Sequence, residues 1–231
     1  MTHLLKKTCT AVCVCACMFA LFAKGSKERM PVPEDSMTGH DPQTSFFSET
    51  RIEYPVFEDE PILNEFIYKT VEKTYAEFTA ENKTEAGAKA AFEFHIDYED
   101  VYRSDEYISF LLDCYTYTGG AAHGLRTFIP VNYNVREKRL ISLEDILPVP
   151  LDTGLALLSA ESQKQLMAAM KKGTLSSNEE TIKNGTAPVA ENFKNVVIMK
   201  DAIEIIFEHY QVAPYSSGTP GVKIPLTVFK Q

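Results

Sequence analysis

Phe92-Glu93-Phe94-His95-Ile96-Asp97-Tyr98-Glu99 alternates apolar and polar side chains without a break. That is the period of a strand with one buried and one wet face, and it puts His95 on the wet side. A second run, residues 107–118, is rich in Tyr, Phe, Ile and Leu. The link at 100–106 is short enough to fold the two runs into an antiparallel hairpin. Cys114 alternates with Leu112 and Phe110 and so reads as a small buried residue. The carboxylates Glu93, Asp97, Glu99 and Asp100 follow the same alternation, as a solvated strand face, and lack the spacing of a calcium loop.

Upstream of this hairpin, Ile62, Leu63, Phe66, Ile67, Val71, Tyr75 and Phe78 recur at spacings of three and four, which predicts a helix, with a break at Gly87. Residues 51–57 before it read as a strand that Pro55 pushes toward an edge. Downstream, Gly119-Gly120-Ala121-Ala122-His123-Gly124 interrupts the pattern, and extended sequence resumes over 127–135, with a turn at Arg136-Glu137-Lys138. Ser142-Leu143-Glu144-Asp145 has the make-up of a helix N-terminal cap, and Pro148 and Pro150 limit it to a short turn. Ser159 is placed to cap a longer helix that runs to Lys172, with Leu166, Met167 and Met170 inward and Gly173 as its stop. Residues 174–188 read as a long surface loop, and strands follow over 195–199, 202–207 and 222–229. Between the last two, Pro214, Gly218, Pro220 and Gly221 deny regular pairing. This order predicts an α+β fold, antiparallel sheets packed with helices, in two similar halves, 49–118 and 119–231.

The N-terminus has a different character. Lys6 and Lys7 precede an apolar run over 8–23 that Lys24-Gly25-Ser26-Lys27 ends. This is the plan of a secretory signal over 1–25, and the run is short for a span of roughly 30 Å of hydrocarbon. An uncleaved membrane anchor is the competing reading of the same run. Four of the five cysteines (Cys9, Cys13, Cys15 and Cys17) lie inside it, so Cys114 alone gives the exported part no internal disulfide. Ala16 before Cys17 makes Cys17 a candidate for lipidation and a membrane tether, while cleavage at 23–26 would remove it. Residues 26–48, rich in Pro, Glu, Asp, Ser and Thr, read as a flexible linker. A net charge of -9 argues against nucleic acid as a partner, and 45% hydrophobic content supports a real core.

The Gly-rich segment lacks the Lys-Ser or Lys-Thr of a phosphate loop. His123 within it is suited to act as a general base, with Asp113 or Glu208 as partner, or simply to fix a loop whose glycines supply positive φ. A zinc site from His95, His123 and His209 has no supporting ligand spacing, and no metal or other cofactor is expected. Nor is there a Gly-x-Ser-x-Gly elbow. Tyr98, Tyr107, Tyr115, Tyr117, Tyr210 and Tyr215 are the aromatic side chains that would anchor a partner if their faces are exposed.

Several segments together carry a resemblance: Tyr115-Thr116-Tyr117-Thr118-Gly119-Gly120 with Ala122-His123-Gly124, then Asn132-Tyr133-Asn134, then Leu140-Ile141-Ser142-Leu143-Glu144-Asp145-Ile146-Leu147. The closing piece is Ile205-Ile206-Phe207-Glu208-His209-Tyr210-Gln211-Val212-Ala213-Pro214-Tyr215, with Gly218 and Val222-Lys223-Ile224-Pro225 after it. In order and spacing these resemble the domain family of unknown function 3298, and the preceding half is similar to its companion, family 4163. The chain departs from the pattern by an additional Ala in the Gly-Gly-Ala-His-Gly loop and by Lys138-Arg139 where the turn before Leu140 usually holds Gly.

The resemblance implies an extracytoplasmic bacterial domain. The family occurs in the outer part of a membrane-bound, lysozyme-sensing anti-sigma factor and beside a separate polysaccharide deacetylase domain. The expectation is therefore a non-catalytic binding or sensing module of the cell envelope, whose partner is an envelope protein, lysozyme-like, or peptidoglycan. Gly119, Gly120, His123, Gly124, Tyr210 and Tyr215 are its expected contact residues. An envelope hydrolase built on His123 and a structural envelope lipoprotein are the two alternatives.

Overall fold

The computed structural model describes residues 26–29, 49–82 and 92–230. The expected signal with Cys17, the linker beyond residue 29 and the break at Gly87 lie outside the described residues. The fold is α+β: two sheets, each with a helix of 21 residues packed on it.

The first sheet runs in order β1 (Ser26–Arg29), β2 (Glu49–Val56), β3 (Phe92–Arg103), β4 (Tyr107–Thr118), β5 (Leu125–Asn134) and β6 (Arg139–Leu140). Helix α1 (Pro61–Glu81) turns Leu63, Ile67, Val71 and Phe78 onto one face, where they meet Phe94, Ile96, Ile108, Phe110 and Leu112. Pro61 opens the helix where its missing N–H costs nothing. The Asn64 amide bonds both the N–H and the C=O of Phe57, at 2.9 and 2.8 Å, and so fixes the helix against the end of β2.

The predicted hairpin is present, with β3 and β4 antiparallel and Phe94, Ile96 and Cys114 buried. β2 and β3, by contrast, are parallel, because the 21-residue α1 lies between them and returns the chain in the same direction. Ser26–Arg29, expected as linker, pairs antiparallel with the half of β2 that holds Pro55. Backbone pairing of four polar residues leaves no apolar pattern to read.

In the second half, α2 (Leu143–Ile146) has the expected cap: the Asp145 N–H donates to Ser142 Oγ, and the Asp145 carboxylate accepts from the Ser142 N–H. Helix α3 (Leu151–Lys171) begins well before Ser159, which is buried inside it. Gly154, inside the helix, leaves the space that the Leu147 side chain fills. The expected loop at 174–188 contains α4 (Glu179–Gly185), capped by Asn178, whose Oδ1 accepts the Thr181 N–H at 2.9 Å. Seven residues are too few to show a period. Strands β7 (Val196–Ile198), β8 (Ala202–Ile206) and β9 (Gly221–Pro225) form the second, antiparallel sheet, and α3 packs against it. Residues 226–230, expected as strand, form a tight 3-10 turn.

Because β5 and β6 hydrogen-bond within the first sheet, the division expected at 118/119 cuts through that sheet. The two sheets are joined by a buried polar knot. Ser109 Oγ, on β4, donates to Asn132 Oδ1 on β5 at 2.6 Å and accepts the Ile198 N–H at 2.7 Å. Asn132 Nδ2 donates to the Val196 carbonyl at 2.8 Å. The outer edge of β7 is thus paired by side chains of the first sheet. Asn132→Leu is expected to lower the unfolding free energy by about 2–3 kcal/mol, since it strands the Ser109 hydroxyl and the Val196 carbonyl. A loss below ~0.5 kcal/mol in urea denaturation would mean the sheets do not depend on this knot.

Candidate functional site

The two irregular segments singled out in the sequence meet. After β4, Gly119 and Gly120 form a turn closed by the Ala121 N–H to the Thr118 carbonyl, and Gly120 at φ 93 occupies the left-handed position. The chain then reaches Gly124, which is buried because the Tyr115 ring lies where a side chain would stand. From the second half, residues 207–218 cross toward this loop. Gln211 holds that segment by donating to the carbonyls of Gly185 and Asn192, at 2.9 and 3.0 Å, and by accepting the Glu208 N–H at 3.1 Å. Val212 and Ala213 are buried beside it.

The result is a column of rings. Tyr215 stacks on His123 at 3.7 Å between centroids and on His209 at 4.3 Å, with interplanar angles of 20° and 25°. Two rings that close and that parallel do not fit on one face, so Tyr215 is sandwiched between the imidazoles. Its hydroxyl donates to the Gly124 carbonyl at 2.9 Å. His123 Nδ1 lies 3.0 Å from the same carbonyl, which can only accept, so this nitrogen carries a proton. In the neutral ring, Nε2 then accepts from the Tyr210 hydroxyl, also at 3.0 Å. Tyr210 is 58% exposed and sits at φ 66, a conformation a side-chain-bearing residue rarely adopts.

His123, Gly124, Tyr210 and Tyr215 are therefore brought together, with Gly119 and Gly120 forming the turn that leads in. His209, weighed in sequence as a zinc ligand but not as a contact residue, is the member that was missed. His95 is apart from the column, and Tyr215 separates His123 from His209, so the three histidines do not converge as a zinc site requires. The carboxylates considered as partners of His123 ion-pair elsewhere: Asp113 with Arg126 at 3.2 Å and Glu208 with Lys194 at 3.2 Å. Of the other tyrosines, Tyr98 is buried in the first core, and Tyr107, Tyr115 and Tyr117 are half-buried.

Beside the column lies a cleft of about 380 Å³ on the sheet face opposite α1. Its residues come from four neighbouring strands in register: Arg51, His95, Tyr115 and Arg126 lie in one row, and Asp97 and Asp113 face each other in the next. Arg51 reaches Asp97 at 3.7 Å. Burial, and then the charge of Glu93, push the Tyr115 phenol up, so it remains a donor at neutral pH. The sequence showed which side of β3 is wet but not which residues of β2 and β5 stand beside it.

Residues 43–126 match the family model described as Deacetylase PdaC, and residues 144–227 match the one described as Protein of unknown function, DUF3298. The DUF3298 match falls within the second half, where the resemblance places it. The first half is matched under the deacetylase description rather than the number 4163. The cleft lies wholly within the first match, and the ring column draws residues from both.

Over 181 residues the chain is 29% identical to the peptidoglycan-N-acetylmuramic acid deacetylase PdaC of Bacillus subtilis (strain 168). That alignment covers 78% of this chain but 38% of the deacetylase, so the chain spans well under half of that protein's length. Two solved DUF3298 family structures share the fold. One, from Pseudomonas aeruginosa PAO1, has a TM-score of 0.59 at 20% identity, over 89% of this chain and 93% of that one. The other, from Bacteroides fragilis NCTC 9343, has a TM-score of 0.54 at 18% identity, over 90% and 94%.

The column has a pH consequence. Burial first, then the positive charge of Arg126 and the neighbouring His123, hold the His209 imidazole below the 6.5 of a free histidine, against a backbone hydrogen bond to Gly218. The fold favours the neutral ring. His209 therefore contributes its full stability above pH 6.5, and that contribution is lost as pH falls from there through the depressed folded value. An NMR titration is expected to place the His209 midpoint below 6.5, and His209→Gln is expected to flatten the decline of thermal stability between pH 7.5 and 5. A midpoint at or above 6.5 would contradict the buried-stack account.

Proposed function

We propose that this chain is a non-catalytic binding module of the bacterial cell envelope, that it is exported by its N-terminal signal, and that it grips cell-wall glycan through the ring column and the surface around it. Tethering through a lipid on Cys17 belongs to the same proposal. The observation that carries the reading is Tyr210. A large aromatic side chain, more than half exposed, is held at a left-handed backbone angle and hydrogen-bonded to His123. Such strain persists where the surroundings enforce it and where the presented side chain has a use. Flat ring faces beside hydroxyl and imidazole donors suit sugars, whose C–H faces stack and whose hydroxyls hydrogen-bond. The likeness to a peptidoglycan deacetylase supports a cell-wall ligand.

Both ring nitrogens of His123 are engaged, one with a carbonyl and one with a phenol, and the described carboxylate contacts lead away from it. This supports a positioning role for His123 rather than the hydrolase reading. The net charge of -9 favours a second kind of partner, a cationic protein such as lysozyme.

Co-sedimentation of the full-length chain with purified peptidoglycan is the test. Wild type is expected to be retained, and Tyr210→Ala to weaken retention at least fivefold with the melting temperature unchanged. Absence of retention, coupled with tight binding of lysozyme in solution, would replace the glycan with a protein partner.

A further inference from the structure

The cleft beside the ring column contains two buried polar atoms that the fold itself leaves without partners. Arg51 Nε and His95 Nε2 are shut off from solvent and have no hydrogen-bond partner among the described residues. The Glu49 carboxylate stands 3.5 Å from His95 Nε2, beyond good hydrogen-bond reach. A stranded buried group of this kind costs free energy, and native folds keep few of them. Two in one cleft, both on the same row of side chains, indicate a ligand that completes them.

The row sets the ligand's dimensions. Arg51, His95, Tyr115 and Arg126 stand on four adjacent strands, so it spans three strand spacings, about 14 Å. That is longer than one sugar ring. Donors occupy this row, while the next row presents the acceptors Asp97 and Asp113, so the floor offers both polarities side by side. Each aspartate has an arginine, Arg51 for Asp97 and Arg126 for Asp113, and the charges of the four side chains cancel. A polyanion meets the aspartates at the centre, and a polycation meets an arginine at each end. The arrangement fits an uncharged ligand that carries carbonyl or hydroxyl acceptors alternating with N–H or O–H donors.

We propose that this cleft binds an acetamido-sugar oligosaccharide laid across the strands of the first sheet, its acetamido carbonyl or ring hydroxyls accepting from Arg51 Nε and its donors meeting Asp97 and Asp113. His95 and Tyr115 contact the middle of the ligand. The proposal rests on the glycan reading above and assigns it a chemical class and a second contact surface. The cleft and the column are contiguous, since the Tyr115 ring lies under Gly124 and Arg126 acts on His209.

The experiment uses the full-length chain, a tetramer of N-acetylglucosamine as the probe and the fully de-N-acetylated tetramer as its control, with calorimetry and NMR shift mapping. The N-acetylated tetramer is expected to bind with shift changes at His95 and Tyr115, and the control to bind at least tenfold more weakly. Arg51→Gln and Arg126→Gln are each expected to weaken binding at least tenfold in a chain that still unfolds cooperatively. Arg51→Lys keeps a cation for Asp97 but removes the Nε–H, so a similar loss there identifies a ligand contact rather than a broken ion pair. Equal affinity for both tetramers, variants that bind like wild type, or shifts confined to Tyr210 and Tyr215 would overturn the cleft proposal. If peptidoglycan is still retained in that event, the envelope-module reading stands; if retention is also absent, both fall.

Discussion

The hydrogen bonds that Ser109 and Asn132 make to the edge of β7 are the constraint on which the rest of the molecule depends. A three-residue strand at the edge of a small sheet would ordinarily present open N–H and C=O groups. Here two side chains from β4 and β5 take up one of each, and Ser109 and Asn132 are themselves buried. The second sheet therefore has a fixed position on the first. Without it, residues 207–218 have no reason to lie against the loop at 119–124, and Tyr215 does not enter between His123 and His209. The link runs from two polar residues on strands to the geometry of a site some way along the same surface.

That geometry is kept by a chain of small commitments rather than by one strong interaction. Gly124 makes room for Tyr115, the Gly124 carbonyl accepts from both Tyr215 and His123, and Gln211 pins the arriving segment to two carbonyls. Each hydrogen bond contributes on the order of 1 kcal/mol at most. Their joint effect is to hold Tyr210 at a positive φ and its ring in solvent, which an unconstrained chain would avoid.

Much of this was legible in the sequence, for physical reasons that also mark where legibility ended. The alternation at 92–99 and the three-and-four spacing at 62–78 are properties of single elements, and both elements formed as read. The ring residues His123, Tyr210 and Tyr215 stood out because glycines and prolines flank them in otherwise regular sequence. Register between strands is a property of pairs, and no pattern in β3 says that Arg51 of β2 stands beside His95, or Arg126 of β5 beside Tyr115. The cleft was invisible for that reason. The start of α3 was misplaced because Ser159 has the make-up of a cap, yet it is buried inside a helix that begins at Leu151. The parallel pairing of β2 and β3 followed from the length of α1 and was within reach, had the helix been treated as a crossover.

The cleft's carboxylates also bear on whether this surface does chemistry. Acid–base pairs on glycans work by unlike environments, one carboxyl kept as an acid by apolar surroundings and the other kept ionised. Asp97 and Asp113 stand on neighbouring strands of the same sheet face, each beside one arginine, and Asp97 also accepts the Tyr98 N–H at 2.8 Å. Two ion-paired acceptors side by side suit the hydrogen bonding to a ligand that the proposed binding reading calls for. Like charges placed directly across two strands oppose each other, and the flanking arginines offset that repulsion. What remains is a polar floor whose groups are oriented before a ligand arrives. Ion-paired donors and acceptors held in register next to fixed ring faces support the proposed binding reading, which draws on the cleft as much as on the column.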